Sequence, residues 1–193
     1  QTLVDRNDPA FAKPSKPIGQ FYSHAEAEDR MRVEKWAMVE DAGRGWRRVV
    51  ASPKPVRIIE SEVVKHLVKD GYVVIAVGGG GIPVVADEQG MLSGVAAVID
   101  KDLASAVLAE AIAADLLVIA TTVEKVYLNF GKPGERALDS MTAAEARRYV
   151  AEGHFHPGSM LPKIQACLQF LESGGREALI TCPAALSAAL EGK

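Results

Sequence analysis

The stretch that decides how this chain folds is Tyr72-Val73-Val74-Ile75-Ala76-Val77, followed by Gly78-Gly79-Gly80-Gly81-Ile82-Pro83. An uncharged run rich in β-branched residues reads as a buried strand. Four consecutive glycines behind it are entropically costly to fix, so the position must use something only glycine offers. In a parallel α/β sheet, ligands bind outside the carboxyl ends of the strands. A backbone without Cβ atoms there lets N–H groups approach a phosphate. The competing reading is a glycine-rich turn with no ligand. The run is neither a Walker A pattern nor G-x-G-x-x-G, so alone it indicates an anion and no more.

Working outward, short apolar runs alternate with helical patterns from about residue 54. Ser61 to Lys69 reads as a helix with Val63, Val64, Leu67 and Val68 on one face, stopped by Asp70-Gly71. Asp102 to Ala114 reads as a helix apolar nearly all round, hence largely buried. Leu116 to Thr121 is a strand. Thr142-Ala143-Ala144-Glu145 is a capping box opening a helix to about Val150. A further helix begins at Pro162, carries Ile164, Cys167, Leu168 and Leu171 on one face, and ends at Gly174-Gly175. Ala178 to Thr181 is a last strand and Pro183 to Leu190 a last helix. This alternation predicts an α/β fold, a three-layer αβα sandwich around a mostly parallel sheet.

Residues 1–53 read differently. Pro9, Pro14 and Pro17 interrupt the start, Ser23-His24-Ala25-Glu26 caps a polar helix, and strands near Trp36–Glu40 and Trp46–Val50 flank Asp41–Gly45 as a β-hairpin. The expected division is therefore 1–53, a protruding hairpin-containing region, and 54–193, the nucleotide-binding α/β domain. The chain starts at Gln1 without a Met and reads as a piece of something longer.

At 193 residues, 48% hydrophobic and 24% charged, the chain is long enough for one sizeable core. A formal charge of −3 gives no electrostatic reason to expect nucleic acid or an anionic membrane as partner. No apolar run approaches the roughly 20 residues of a spanning helix, and no signal peptide opens the sequence. Cys167 and Cys182 sit in apolar surroundings and read as core residues. The expectation is a cytoplasmic protein.

Two lysines break a local rule. Lys101, in Ile99-Asp100-Lys101-Asp102, and Lys163, in Gly158-Ser159-Met160-Leu161-Pro162-Lys163, each occupy the start of a helix. A cation there meets the positive end of the dipole at a cost of a few tenths to about 1 kcal/mol. Asp100 or Asp102 could serve as the N-cap, and flanking carboxylates would offset the cost. Two such lysines beside a glycine loop point to phosphoryl transfer, where positioning and charge neutralisation dominate. His154-Phe155-His156 has no partner at metal-ligand spacing and reads as a structural loop, and no protein metal ligand is expected. His66 reads as a helix-surface residue. Arg44, Arg47 and Arg48 either close over phosphate or form a solvated face.

Seven stretches carry a resemblance: KPIG (Lys16–Gly19), EDAGRGWRRVV (Glu40–Val50), SPKP (Ser52–Pro55), GGGGIPVV (Gly78–Val85), AVIDKDLAS (Ala97–Ser105), VYLNFGKP (Val126–Pro133) and GHFHPGSMLPKIQA (Gly153–Ala166). With them the chain resembles the carbamate kinases of the amino acid kinase family. The resemblance implies reversible phosphoryl transfer between ATP and carbamate, giving ADP and carbamoyl phosphate, in arginine metabolism. It implies that Lys16 reaches from the protruding region toward the transferred phosphate. Lys101 and Lys163 would flank that phosphoryl group, and Asp102 would hold the lysines. Gly78, Gly79 and Gly80 would line the phosphate channel; Tyr127, Gly158 and Met160 would border the nucleotide. It also implies Mg2+-bound ATP or ADP and a homodimer. The family's opening Gly-Gly-Asn-Ala strand-loop, its Gly-Asn-Gly loop and its final Gly-Thr segment are not in this sequence. The expected match is thus the C-terminal three-fifths, with most of the nucleotide site and less of the carbamate site. Rival readings are a nucleotide-binding fragment without turnover, or another member of the fold such as a uridylate or acetylglutamate kinase. The KPIG excursion and the hairpin argue against the latter.

Overall fold

The computed structural model describes residues 1–41 and 43–191; Ala42, inside the hairpin loop of the quoted motif, and the terminal Gly192 and Lys193 lie outside the described residues. In chain order the elements are β1 (Thr2–Val4), β2 (Lys16–Tyr22), α1 (His24–Val33), β3 (Ala37–Glu40), β4 (Trp46–Val50), β5 (Pro55–Ile58) and α2 (Ser61–Lys69). They continue with β6 (Pro83–Ala86), β7 (Leu92–Gly94), α3 (Lys101–Ala111), β8 (Leu116–Ala120), β9 (Val126–Leu128) and β10 (Arg136–Leu138). The last are α4 (Ala143–Ala151), α5 (Met160–Glu172), β11 (Glu177–Thr181) and α6 (Leu186–Leu190).

Local signals explain most of these boundaries. Ser23 and Thr142 form complete capping boxes with Glu26 and Glu145. The hairpin is present, β3 and β4 pairing antiparallel with Glu40 opposite Trp46, and β2 takes the other edge of β4. This three-stranded unit is held by stacking: the Arg48 and Arg30 guanidinium groups lie 4.4 and 5.4 Å from the Trp36 ring.

The body is α/β with mixed pairing. Parallel pairs join β1 to β6 and β8 to β11, while β1–β5 and β6–β7 are antiparallel. The short connection from Ala86 to Leu92 permits only the antiparallel form, because parallel neighbours need a long crossover. β8 carries Leu117 and Ile119 into a core shared with Ala106 and Ala109 of α3 and Ala166, Cys167 and Phe170 of α5, and Ala178 and Ile180 of β11 pack against it. α3 also packs Ala104 and Val107 on Val4, Ile58 and Val85, so it sits between both sheets, buried as its composition implies.

The apolar run Tyr72–Val77 is not the buried strand expected. It pairs with no strand among the described residues; Val73 and Ile75 are 98% and 97% exposed, and its last residue, Val77, packs on the core. The physical reason is the hydrogen-bond requirement: a strand exists only where a neighbour takes its N–H and C=O groups, and β1 occupies the space between β5 and β6 instead. Likewise Val64 alone of the four expected apolar residues of α2 is buried; Val63, Leu67 and Val68 stay exposed near it. An exposed, uncharged, Pro-free apolar segment of this kind is an aggregation hazard. Replacing both Val73 and Ile75 by Lys is therefore expected to slow aggregation and lower fluorescence of a hydrophobic dye. Because both side chains are solvated, the stability cost should stay within about 0.5 kcal/mol. Unchanged dye binding in the double variant would show that this surface is covered in solution.

Candidate active site

The site grows from the first turn of α3. Asp100 is its N-cap: Oδ1 accepts the N–H groups of Asp102 (3.0 Å) and Leu103 (3.4 Å). Its other oxygen, Oδ2, accepts from Lys16 Nζ at 2.8 Å, across from β2. Burial pushes the Asp100 carboxyl up, but the Lys16 ammonium and the two amide N–H groups outweigh it and hold the net value below the usual carboxylate range. A depressed folded-state value stabilises the fold above the ordinary carboxylate pKa, and that contribution disappears as pH falls through the lowered one.

Asp102 points inward with its side chain 10% exposed. Oδ2 accepts from Lys163 Nζ of α5 at 2.8 Å, and Lys101 Nζ lies 3.8 Å from Oδ1. α3 packs on α5 through Ala106 and Ala109 against Ala166, Cys167 and Phe170, and that packing carries Lys163 to Asp102. The structure therefore brings Lys16, Lys101 and Lys163, from three separate elements, around two adjacent carboxylates. The formal sum is one surplus positive charge at a helix N-terminus, an arrangement suited to an anion.

The glycine bend lies at the same place. Gly80 is packed so tightly against the Ile99 carbonyl, the residue before Asp100, that a Cβ would collide with it; one at Gly81 would collide with Thr2 Oγ1. Thr2 fastens the bend by donating its hydroxyl to the Gly80 carbonyl at 2.7 Å. Gly80 and Gly81 also have φ of +126° and +84°, which side chains resist. Gly79 has neither positive φ nor a neighbour within 4 Å of a hypothetical Cβ, so the fold itself does not require glycine there. Two of the N–H groups are already used, Gly78 to the Ala76 carbonyl and Gly80 to that of Val77. The bend is thus partly a packing device and partly an open rim.

Tyr127 of β9, Met160 and Lys163 of α5, Phe130 and His156 line a cavity of about 140 Å3, which reaches Lys163 alone of the three lysines. Tyr127 and Phe130 meet edge to face at 5.5 Å on its wall. Gly158 lies in the loop leading into α5, its N–H donating to His156 Nδ1 at 3.1 Å. His154 bridges Asn129 Oδ1 (2.8 Å) and Glu152 Oε2 (3.0 Å), which makes it a brace for the loop. Arg44 and Arg47 are tied to Asp41 and stack on Phe21. A larger cavity of about 680 Å3 lies between α4, α5 and β11 and touches none of the three lysines.

Cys167, one turn after Lys163, is pushed up to about 12 by burial, with the Asp102 charge adding and Lys163 opposing. Its thiolate fraction at pH 8 is about one in ten thousand. Iodoacetamide is expected to alkylate the half-buried Cys182 while Cys167 stays unmodified, as read by peptide mass; prompt Cys167 labelling would mean that α5 opens.

Among the described residues no helix is long and apolar enough to cross a membrane. Compared with known proteins, residues 14–182 match the model of the amino acid kinase family. The chain is 56% identical to the carbamate kinase-like protein YahI of Escherichia coli, covering all of this chain and 61% of that one. It is 52% identical to the carbamate kinase of Clostridium perfringens, covering 62% of it. The structure of carbamate kinase from Giardia lamblia bound to AMP-PNP superposes with a TM-score of 0.88 at 44% identity, over all of this chain and 61% of that one. The chain thus spans about three fifths of the length of these relatives. By fold and by sequence, it belongs to the amino acid kinase family.

Proposed function

We propose that this chain carries the nucleotide- and phosphate-handling part of a carbamate kinase, moving a phosphoryl group reversibly between ATP and carbamate. The observation that carries the reading is the convergence of Lys16, Lys101 and Lys163 on Asp100 and Asp102 beside the glycine bend. In the direction of ATP synthesis, a terminal phosphate oxygen of ADP attacks the phosphorus of carbamoyl phosphate. The P–O bond to carbamate breaks, and carbamate leaves as an anion, so no proton has to be delivered. What the reaction needs is neutralisation of the charge on the three equatorial oxygens. Lys101 and Lys163 flank the group in transit, Asp102 fixes them, and Lys16 approaches from the three-stranded sheet. Gly78, Gly79 and Gly80 line the phosphate path, and the open position at Gly79 supports that role. Tyr127, Gly158 and Met160 border the nucleotide.

Mg2+ brought with the nucleotide would neutralise phosphate charge. Asp100 and Asp102 are both engaged by lysines, and no group of three or more His, Cys, Asp and Glu residues among those described could hold a metal. The same reading includes a cytoplasmic homodimer acting in arginine metabolism and the division at residue 53, with β1 joined to the body's sheet.

A second reading is favoured by the span of three fifths and by the exposed apolar run: a nucleotide-binding unit without turnover. Supplying ADP and carbamoyl phosphate and detecting ATP with a coupled luciferase reaction separates the two. ATP formation supports transfer. Calorimetric binding of AMP-PNP without ATP formation supports the second reading, and failure of both removes the site.

A further inference from the structure

We infer that Asp100 is a positioning residue: its single carboxylate caps α3 and at the same time holds Lys16 of the three-stranded sheet beside Lys101 and Lys163. The inference rests on the phosphoryl-transfer reading above and adds to it a residue that acts through another.

Capping does not explain the acid. Ser, Thr and Asn cap a helix about as well as Asp, yet Asp100 divides its two oxygens between separate tasks. Oδ1 receives the helix N–H groups and Oδ2 the Lys16 ammonium. Among the described residues this is the only side-chain hydrogen bond or ion pair that joins residues 16–50 to the rest of the chain. The main chain adds a join at the base of the sheet, where the Val98 N–H donates to the Ala51 carbonyl at 2.9 Å. Lys16 opens β2 opposite Val50, at that same base. Without Asp100, nothing polar would fix the Lys16 ammonium relative to α3, and its four-carbon stem would sample many rotamers. An ammonium has three N–H donors. Asp100 occupies one, and two stay available to a phosphate. The carboxylate therefore orients the cation without saturating it. Asp102 pairs with Lys163 at 2.8 Å and lies 3.8 Å from Lys101, so the site is built from one carboxylate for the lysines of α3 and α5 and another for the lysine of the protruding sheet.

Asp100→Asn separates the two tasks, keeping the cap and removing the ion pair; Asp100→Ser is a second capped variant. Trace acetylation read by peptide mass spectrometry should label Lys16 about fivefold faster in either variant, on the scale of losing a partly exposed ion pair, with Lys101 and Lys163 unchanged. In the coupled ATP assay, kcat should fall about tenfold to a hundredfold, as misplacement of a reacting-site group by about 1 Å produces. KM for ADP should hold, and Asp100→Glu should recover part of the rate. Equal Lys16 labelling in wild type and both variants would overturn the inference whatever the assay shows. If the wild type forms no ATP, the transfer reading fails on its own, and the labelling still decides whether Asp100 anchors Lys16. Faster labelling with unchanged kcat would also overturn it, because the anchor would then have no consequence for transfer.

Discussion

Lys163→Ala is expected, under the proposed phosphoryl-transfer reading, to lower kcat for ATP formation from ADP and carbamoyl phosphate by about two to three orders of magnitude, the effect of removing one preorganised charge-stabilising donor. The size follows from where the ammonium sits. Its side chain is 12% exposed, one carboxylate fixes it at 2.8 Å, and it lines the cavity that Tyr127 and Met160 also line. In so dry a setting a charge acts with much less screening than in water. A partner engaged mainly with the group in transit lowers kcat and kcat/KM together when removed. The fold should persist, because Asp102 keeps Lys101 within 3.8 Å and α5 loses no core side chain. Circular dichroism of the variant checks the fold and the coupled assay checks the rate. Turnover within threefold of wild type would take Lys163 out of the reaction.

What could be read in advance divides along the range of the forces involved. α2, α4 and α5 were legible because caps, stops and apolar periodicity all act within a few residues, as the Thr142–Glu145 box shows. Lys101 and Lys163 were legible as candidates because each violates the helix-dipole preference at its own position. Lys16 had no local signal and came from resemblance alone. Its bond to Asp100 crosses 84 residues of chain, and no local pattern carries that. The short strands β1, β6 and β7 were missed for the same reason, since three or four residues become a strand through their neighbours. The misreading of Tyr72–Val77 is the converse: apolarity records what a segment would gain from a partner, not whether one is there. The tetraglycine looked like one device and is two, Gly80 and Gly81 serving close packing and Gly79 leaving an open rim.

Asp102→Ala is expected to cost about 3–5 kcal/mol of folding stability, the usual penalty for stripping one partner from a buried ion pair. For a chain of this size that corresponds to a melting temperature lower by about 6–20 °C. The loss exceeds that of Lys163→Ala because of an asymmetry in the pairing. Removing Lys163 leaves Asp102 one cation, whereas removing Asp102 takes from the 12%-exposed Lys163 ammonium the carboxylate that holds it, with Lys101 close by. Two like charges without the intervening anion repel, and the inner one has little water to solvate it. Asp102 also sits against Cys167, whose burial shows how dry that corner is. If an unpaired ammonium is the cause, Asp102→Ala combined with Lys163→Met should regain part of the loss, giving a coupling of about 0.5–3 kcal/mol in a double-mutant cycle. Methionine keeps the length of the lysine stem and needs no counter-charge. Thermal melts of the four proteins measure this directly. Additive losses, or an Asp102→Ala protein that melts with the wild type, would mean that the carboxylate does not hold the lysines together, and the charge arrangement at the start of α3 would lose its centre.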